Sequence, residues 1–286
     1  MAVSGGDRDA FASLYERYFD RLYDFTVRIV GDRDSAADAV QSTFIKAWRH
    51  LQERNVPERV KPWLFAIAHN EAIDETRRRK RFARPGASRE DDGLDDELGQ
   101  IEESRSDNPE TALGDREIAS LVWRAAQGLN RSDYALLDMH VRQELSSEEM
   151  ATALGIKPGA LYTKLSRLRD SLEEAVTAEL LSRGAKGSCS VLEGIVAGHG
   201  QLDRRLRTAI SRHIQGCGAC DASRRRLVSP AALFGALAPL VPGAGLRERI
   251  LERLQASTAT GAPVSVAQPS SLTGQLLSRP VLAGAG

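Results

Sequence analysis

Residues 144–172, ELSSEEMATALGIKPGALYTKLSRLRDSL, decide how this chain is built. Ser146 or Ser147 is placed to cap a short helix, with Glu149 or Met150 in its first turn. That helix ends at Leu154-Gly155, and Gly155-Ile156-Lys157 turns the chain. Pro158 suits the start of the next helix, where a missing N–H goes unnoticed. Met150, Ala151 and Leu154 are spaced to pack against Ile156, Leu161 and Leu165. Tyr162, Thr163, Lys164, Ser166, Arg167 and Arg169 are left on the outer face of the second helix. This is a helix-turn-helix pattern, and its cations are of the kind that reach guanine edges or phosphates in a major groove. A plain three-helix bundle is the competing reading.

Upstream, Phe11, Leu14, Tyr15, Tyr18, Leu22, Phe25 and Ile29 recur at helical steps until Gly31. Asp34 is a candidate cap for a second helix carrying Val40, Phe44, Ile45, Trp48 and Leu51. After a polar loop, Gln52 to Arg59, Pro62 suits the first turn of a third helix, from about Trp63 to Phe82. Its sequence, WLFAIAHNEAIDETRRRKR, puts Asn70, Asp74, Arg77 and Arg81 on one face and turns Ile67, Ala68 and Ile73 inward. That face is either a solvated helix end or a surface that meets phosphates, with Trp63, Phe65 or the preceding loop holding unstacked bases. No stretch alternates as a strand would, so the expected fold class is all-α.

The 286 residues allow two or three small domains, and an aromatic content of 5% favours several small helical cores over one large one. Lys+Arg and Asp+Glu are 39 each, but unevenly spread. Arg77 to Arg81 are all basic, whereas Glu90 to Glu110 is dominated by acids. Local patches, not the neutral total, decide contact with phosphates. The N-terminus, MAVSGGDRDA, lacks a secretion pattern. The longest apolar run, AALFGALAPLV, is too short to span a bilayer. A cytoplasmic protein without stable membrane insertion is expected.

All three cysteines fall late in the chain. His213, Cys217 and Cys220 form H-x3-C-x2-C, and Cys189 is placed to complete a tetrahedral zinc site, with His199 as a rival fourth ligand. Unrelated thiols beside a surface histidine are the competing reading.

In this order, the two helical segments resemble the paired regions of a bacterial extracytoplasmic-function (ECF) sigma factor of RNA polymerase. DRDSAADAVQSTFIKAW (32–48) resembles the segment presented to the polymerase largest subunit, which implies Asp38, Gln41, Thr43 and Phe44 as polymerase contacts. PWLFAIAHNEAIDETRRRKR (62–81) resembles the segment that contacts the −10 element, which implies Asn70, Asp74, Arg77 and Arg78 on DNA. The loop before it would read a flipped-out base, leaving Trp48 and Trp63 to the core. The helix-turn-helix resembles the −35-reading region, which puts Tyr162, Thr163, Lys164, Ser166, Arg167 and Arg169 on DNA. Asn130 stands where that family commonly has proline. The acidic stretch would thread toward the polymerase active site and RNA-exit path; a solubilising spacer is its simpler reading. The cysteine segment and the amphipathic stretch Leu246, Ile250, Leu251 and Leu254 resemble a zinc-binding anti-sigma domain, normally a separate protein.

The expected plan is sigma region 2 (7–84), an acidic flexible linker (85–112), region 4 (113–178), a zinc-binding anti-sigma-like domain (182–255) and a disordered tail (256–286). The expected function is a non-enzymatic factor that binds core RNA polymerase and promoter DNA, regulated in cis by intramolecular contact of the C-terminal domain with the sigma modules. A helix-turn-helix regulator acting without polymerase, carrying a metal or redox sensor, is the alternative. A metal-dependent enzyme would need an acid/base constellation that does not stand out.

Overall fold

The computed structural model describes residues 8–53, 57–83, 121–122, 125–126, 129–184, 189–197, 204–226, 234–235, 237 and 239–259. The expected linker at 85–112 and the tail beyond Ala259 lie outside them. Among the described residues there is no strand element, as an all-α fold requires. The helices are α1 (Arg8–Val30), α2 (Arg33–Gln52), α3 (Val60–Ala83), α4 (Arg131–Val141), α5 (Ser147–Leu154), α6 (Pro158–Arg183), α7 (Ser190–Ala197), α8 (Arg204–Gly216), α9 (Gly218–Arg225) and α10 (Leu246–Ala259). α10 runs past the boundary expected at 255.

Local chemistry sets the helix ends. α1 stops where Gly31 adopts φ +78°, a left-handed conformation costly for any residue with a Cβ. Asp32, not Asp34, caps α2: its carboxylate accepts the Ser35 N–H at 2.8 Å, and Asp34 sits in the first turn. Asn130 caps α4 by accepting the Asp133 N–H at 2.8 Å. Ser146 and Glu149 form a reciprocal capping box at the start of α5.

One hydrophobic cluster runs through α1 to α6 and takes in Phe234, Leu237, Leu240, Ile250 and Leu254 from the C-terminal segment. The N-terminal three-helix unit and the helix-turn-helix therefore share a core. Polar contacts join them inside it: Arg131 donates to the Ile29 and Val30 carbonyls, and Arg142 pairs with Asp24 at 2.8 Å. A second, smaller cluster joins Ala178 and Leu181 of α6 to Leu192, Leu206, Ile210, Ile214 and Cys220. Helices α7–α9, which the three cysteines flank, join or occupy, thus sit on the C-terminal half of the same helix whose N-terminal half completes the helix-turn-helix.

Candidate nucleic-acid interface and metal centre

α6 presents the expected outer face. Tyr162 is 68% exposed, the largest exposed apolar side chain of that face. Thr163, Ser166, Arg167 and Arg169 are exposed with it. Lys164 is only partly so, because its ammonium pairs with Asp133 at 2.6 Å. On α3, Asp74 and Arg77 are exposed and face each other at 3.5 Å, too far for a strong pair. Arg78 is exposed and pairs with Glu75 at 2.6 Å. Asn70 is half-buried beside His69, whose Nδ1 lies 3.1 Å from its Oδ1. The inward residues are as expected: Ala68 and Ile73 are buried and Ile67 packs on the core. α3 also packs against α4 and α5, and Arg59 just before it pairs with Glu149 at 2.5 Å. The two basic helices are consequently held in one body.

The residues expected on the polymerase side of α2 divide. Asp38 is exposed and Gln41 half-buried. Thr43 and Phe44 are not on a surface. Both are fully buried; the Thr43 hydroxyl donates to the Ala39 carbonyl at 2.8 Å, and Phe44 packs between Phe11, Tyr15 and Phe19. The reason is helical geometry: Val40, Phe44, Ala47 and Leu51 form the stripe that faces α1, and position 43 lies beside it.

α10 packs on α2 and reaches α1 as well. Tyr15 donates its hydroxyl to the Arg247 carbonyl at 2.7 Å, and the Arg247 guanidinium pairs with Asp20 and lies over the Phe19 ring. Burial pushes the Tyr15 hydroxyl well above the usual phenol range. The segment leading into α10 is pinned on both sides. Phe234 meets Tyr134 edge-on, Arg142 donates to the Leu237 carbonyl at 3.1 Å, and Leu240 donates its N–H to Asp24 at 2.6 Å.

Sequence reasoning missed this buried charge network of Asp24, Arg28, Asp138 and Arg142. Its trace was two acid–base pairs four residues apart inside otherwise apolar stretches, Asp24/Arg28 and Asp138/Arg142.

Cys189, His213, Cys217 and Cys220 come together, with one ligand atom from each within 4.8 Å of all the others. His213 Nε2 lies 3.3 Å from both the Cys189 and Cys220 sulfurs. Tetrahedral donors about one zinc ion lie roughly 3.5–3.8 Å apart, so this group fits a metal. Cys217 occupies the N-cap position of α9, where interaction with the Cys220 backbone N–H holds its thiol below the usual range, whereas burial pushes Cys220 up to about 12. His199 lies outside the described residues.

The class defined by this geometry is an all-helical protein that holds two basic helices together and carries a Cys3His group. A family model described as Sigma-70 region 2 matches residues 14–82. The chain is 32% identical over 154 residues to the ECF RNA polymerase sigma factor SigL of Mycobacterium tuberculosis, covering 54% of this chain and 81% of that protein. It is 30% identical over 176 residues to the RNA polymerase sigma-H factor of Pseudomonas aeruginosa, covering 61% and 90%. With the ECF RNA polymerase sigma factor SigW of Bacillus subtilis it shares 27% identity over 180 residues, covering 60% and 91%. The chain belongs to the ECF RNA polymerase sigma factors. Among the described residues, no helix is long and apolar enough to cross a membrane.

Proposed function

We infer that this chain binds core RNA polymerase in the cytoplasm and directs initiation at specific promoters, and that its own C-terminal segment restrains it. As a sigma factor it supplies recognition while the polymerase does the chemistry. Asp38 and Gln41 contact the polymerase, with Thr43 and Phe44 holding α2 in shape from beneath. Asn70, Asp74, Arg77 and Arg78 serve the −10 element. Tyr162, Thr163, Lys164, Ser166, Arg167 and Arg169 serve the −35 element. Residues 7–84 and 113–178 are the two promoter-reading units.

The observation that carries the restraint is the seat of α10. Its apolar residues Ile250 and Leu254 are buried in the core that includes Phe44, and Arg247 holds Tyr15 and Asp20 on the neighbouring helix. A helix placed there competes with a partner for α2, and the segment before it bridges the two promoter-reading units, with Leu240 on Asp24 and Leu237 on Arg142. The Cys3His group holds one zinc ion as a structural centre for residues 189–220. A closed Cys3His set leaves the ion no vacant position, which favours a structural site over a catalytic one.

The test is run-off transcription with core polymerase, comparing the full chain with an Ile250→Asp/Leu254→Asp variant that dislodges α10 without deleting it. Burial of each such side chain contributes roughly 1.5–3 kcal/mol, enough for the double charge to unseat α10, so promoter-dependent transcript is expected to rise. Equal or lower activity of the variant sinks the restraint. Absence of promoter-dependent transcript from every form sinks the initiation role.

A further inference from the structure

We propose that the zinc-type module α7–α9 is a second DNA-contacting surface, a clamp for backbone phosphates at the edge of the groove that α6 reads. The inference rests on α6 as the recognition helix and concerns residues that the sigma resemblance leaves without a DNA role.

Charge points to it first. Between residues 204 and 226 the sequence has seven arginines, no lysine and one acid, Asp221, in a chain whose totals of 39 and 39 cancel. Arg205, Arg212, Arg225 and Arg226 are exposed. Arginine is the residue whose planar fork matches a phosphate with two parallel donors.

Position points to it next. The module has no described core of its own apart from α6; Leu206, Ile210 and Ile214 close on Ala178 and Leu181. It therefore moves with the recognition helix. Tyr162, Ser166, Arg169 and Glu173 follow one another at helical steps along one stripe of α6. Arg224 of α9 lies 3.9 Å from Glu173, so α9 stands over the continuation of the DNA-reading stripe. Seven residues separate Ser166 from Glu173, a rise of roughly 10 Å along the helix, comparable with the roughly 12 Å width of a major groove.

The sign of the charge completes the argument. Beyond Arg169 the outer face of α6 turns acidic, with Asp170, Glu173 and Glu174 all exposed. Unscreened, those carboxylates would repel the strand that borders the groove. Arg224 reaches both Glu173 and Asp221, Arg225 pairs with Asp221 at 2.5 Å, and Arg226 is exposed beside them, so three guanidiniums outweigh the one acid of this stretch and reverse the sign where the backbone would pass.

The experiment uses the full, metal-loaded chain and a mixed-sequence DNA duplex, because the contact is to the backbone and the recognition face of α6 is already exposed. The readout is the salt dependence of binding, by fluorescence anisotropy. For Arg212→Gln/Arg225→Gln/Arg226→Gln the slope of log K against log salt is expected to fall in magnitude by about two to three, at roughly 0.9 per lost phosphate contact. The corresponding lysine variant should keep the wild-type slope. Zinc content and helical circular dichroism report folding; if the triple variant fails either, Arg226→Gln alone is expected to lower the slope by about one. A wild-type slope in a folded glutamine variant overturns the proposal. So does an unchanged slope accompanied by new protease cleavage within residues 90–110, which assigns the arginines to the acidic stretch of the same chain. Arg167→Gln/Arg169→Gln separates this from the reading beneath it: no slope change there rejects α6 as the DNA helix.

Discussion

Asp24 of α1 and Arg142, the residue after α4, form a 2.8 Å ion pair with side chains only 4% and 6% exposed. The pair joins the N-terminal helices to the helix-turn-helix. Asp24 also accepts from Arg28 and from the Leu240 N–H, so one carboxylate ties three parts of the chain together. Such a charge is costly to bury and costlier to strand. Replacing a whole buried network by apolar groups is often neutral, but deleting one member leaves the others without compensation.

Asp24→Asn is therefore expected to destabilise the chain by about 3–5 kcal/mol, measured by urea unfolding. An unchanged midpoint would mean that the arginines find other partners and that the network does not organise the core.

The division of α2 into a buried and an exposed side separates two variants. Phe44→Ala is expected to cost about 3–5 kcal/mol of stability, since the ring is enclosed by Phe11, Tyr15 and Phe19. Asp38→Ala with Gln41→Ala should stay within roughly 0.5 kcal/mol of the parent yet lower capture by core polymerase. Unaltered capture in a pull-down, with loss on deleting residues 1–82, would move the contact elsewhere in that unit.

Promoter reading is expected to need cations from both basic helices. Removing Arg77 and Arg78 should impair strand opening at the −10 region, followed by permanganate reactivity of unpaired thymines. Removing Lys164 and Arg167 should weaken −35 binding; a lost base contact relaxes specificity at one position by roughly 1–3 kcal/mol. Lys164 first has to leave Asp133. A quadruple variant with normal promoter-dependent transcription would reject both surfaces.

His69 makes stability depend on pH. Its Nε2 is buried without a hydrogen-bond partner, and burial holds the imidazole below its usual pKa. Around it stand Asn70, Asp74 and Arg77 of α3 and Lys164 of α6. The unfolded chain takes up this proton more readily than the folded one, so stability should fall as pH drops below about 6.5. His69→Asn should flatten the urea midpoint between about pH 6.5 and pH 5. Equal slopes in the two proteins would assign the dependence to other groups.

Much of this molecule is written locally. Helical spacing of apolar residues, Gly31, the Ser146 cap and Pro158 determine where α1, α5 and α6 begin or end, because backbone geometry and capping act within a few residues. The Cys3His group was legible for a related reason. His213, Cys217 and Cys220 lie within eight residues, on α8, the turn after it and the first turn of α9, and only Cys189 arrives from a distance. The outer face of the helix-turn-helix follows from the same periodicity. What the tertiary structure alone decided are the partners. Thr43 and Phe44 share a short stretch with Asp38 and Gln41, and only the packing of α1 on α2 puts the first two inside. Asp32 took the cap for which Asp34 was the candidate. Leu237 and Leu240, read only as part of an apolar run, became the segment that binds Arg142 and Asp24. Their partners lie about a hundred residues or more away in sequence, and complementarity between distant surfaces leaves no periodic mark in either stretch.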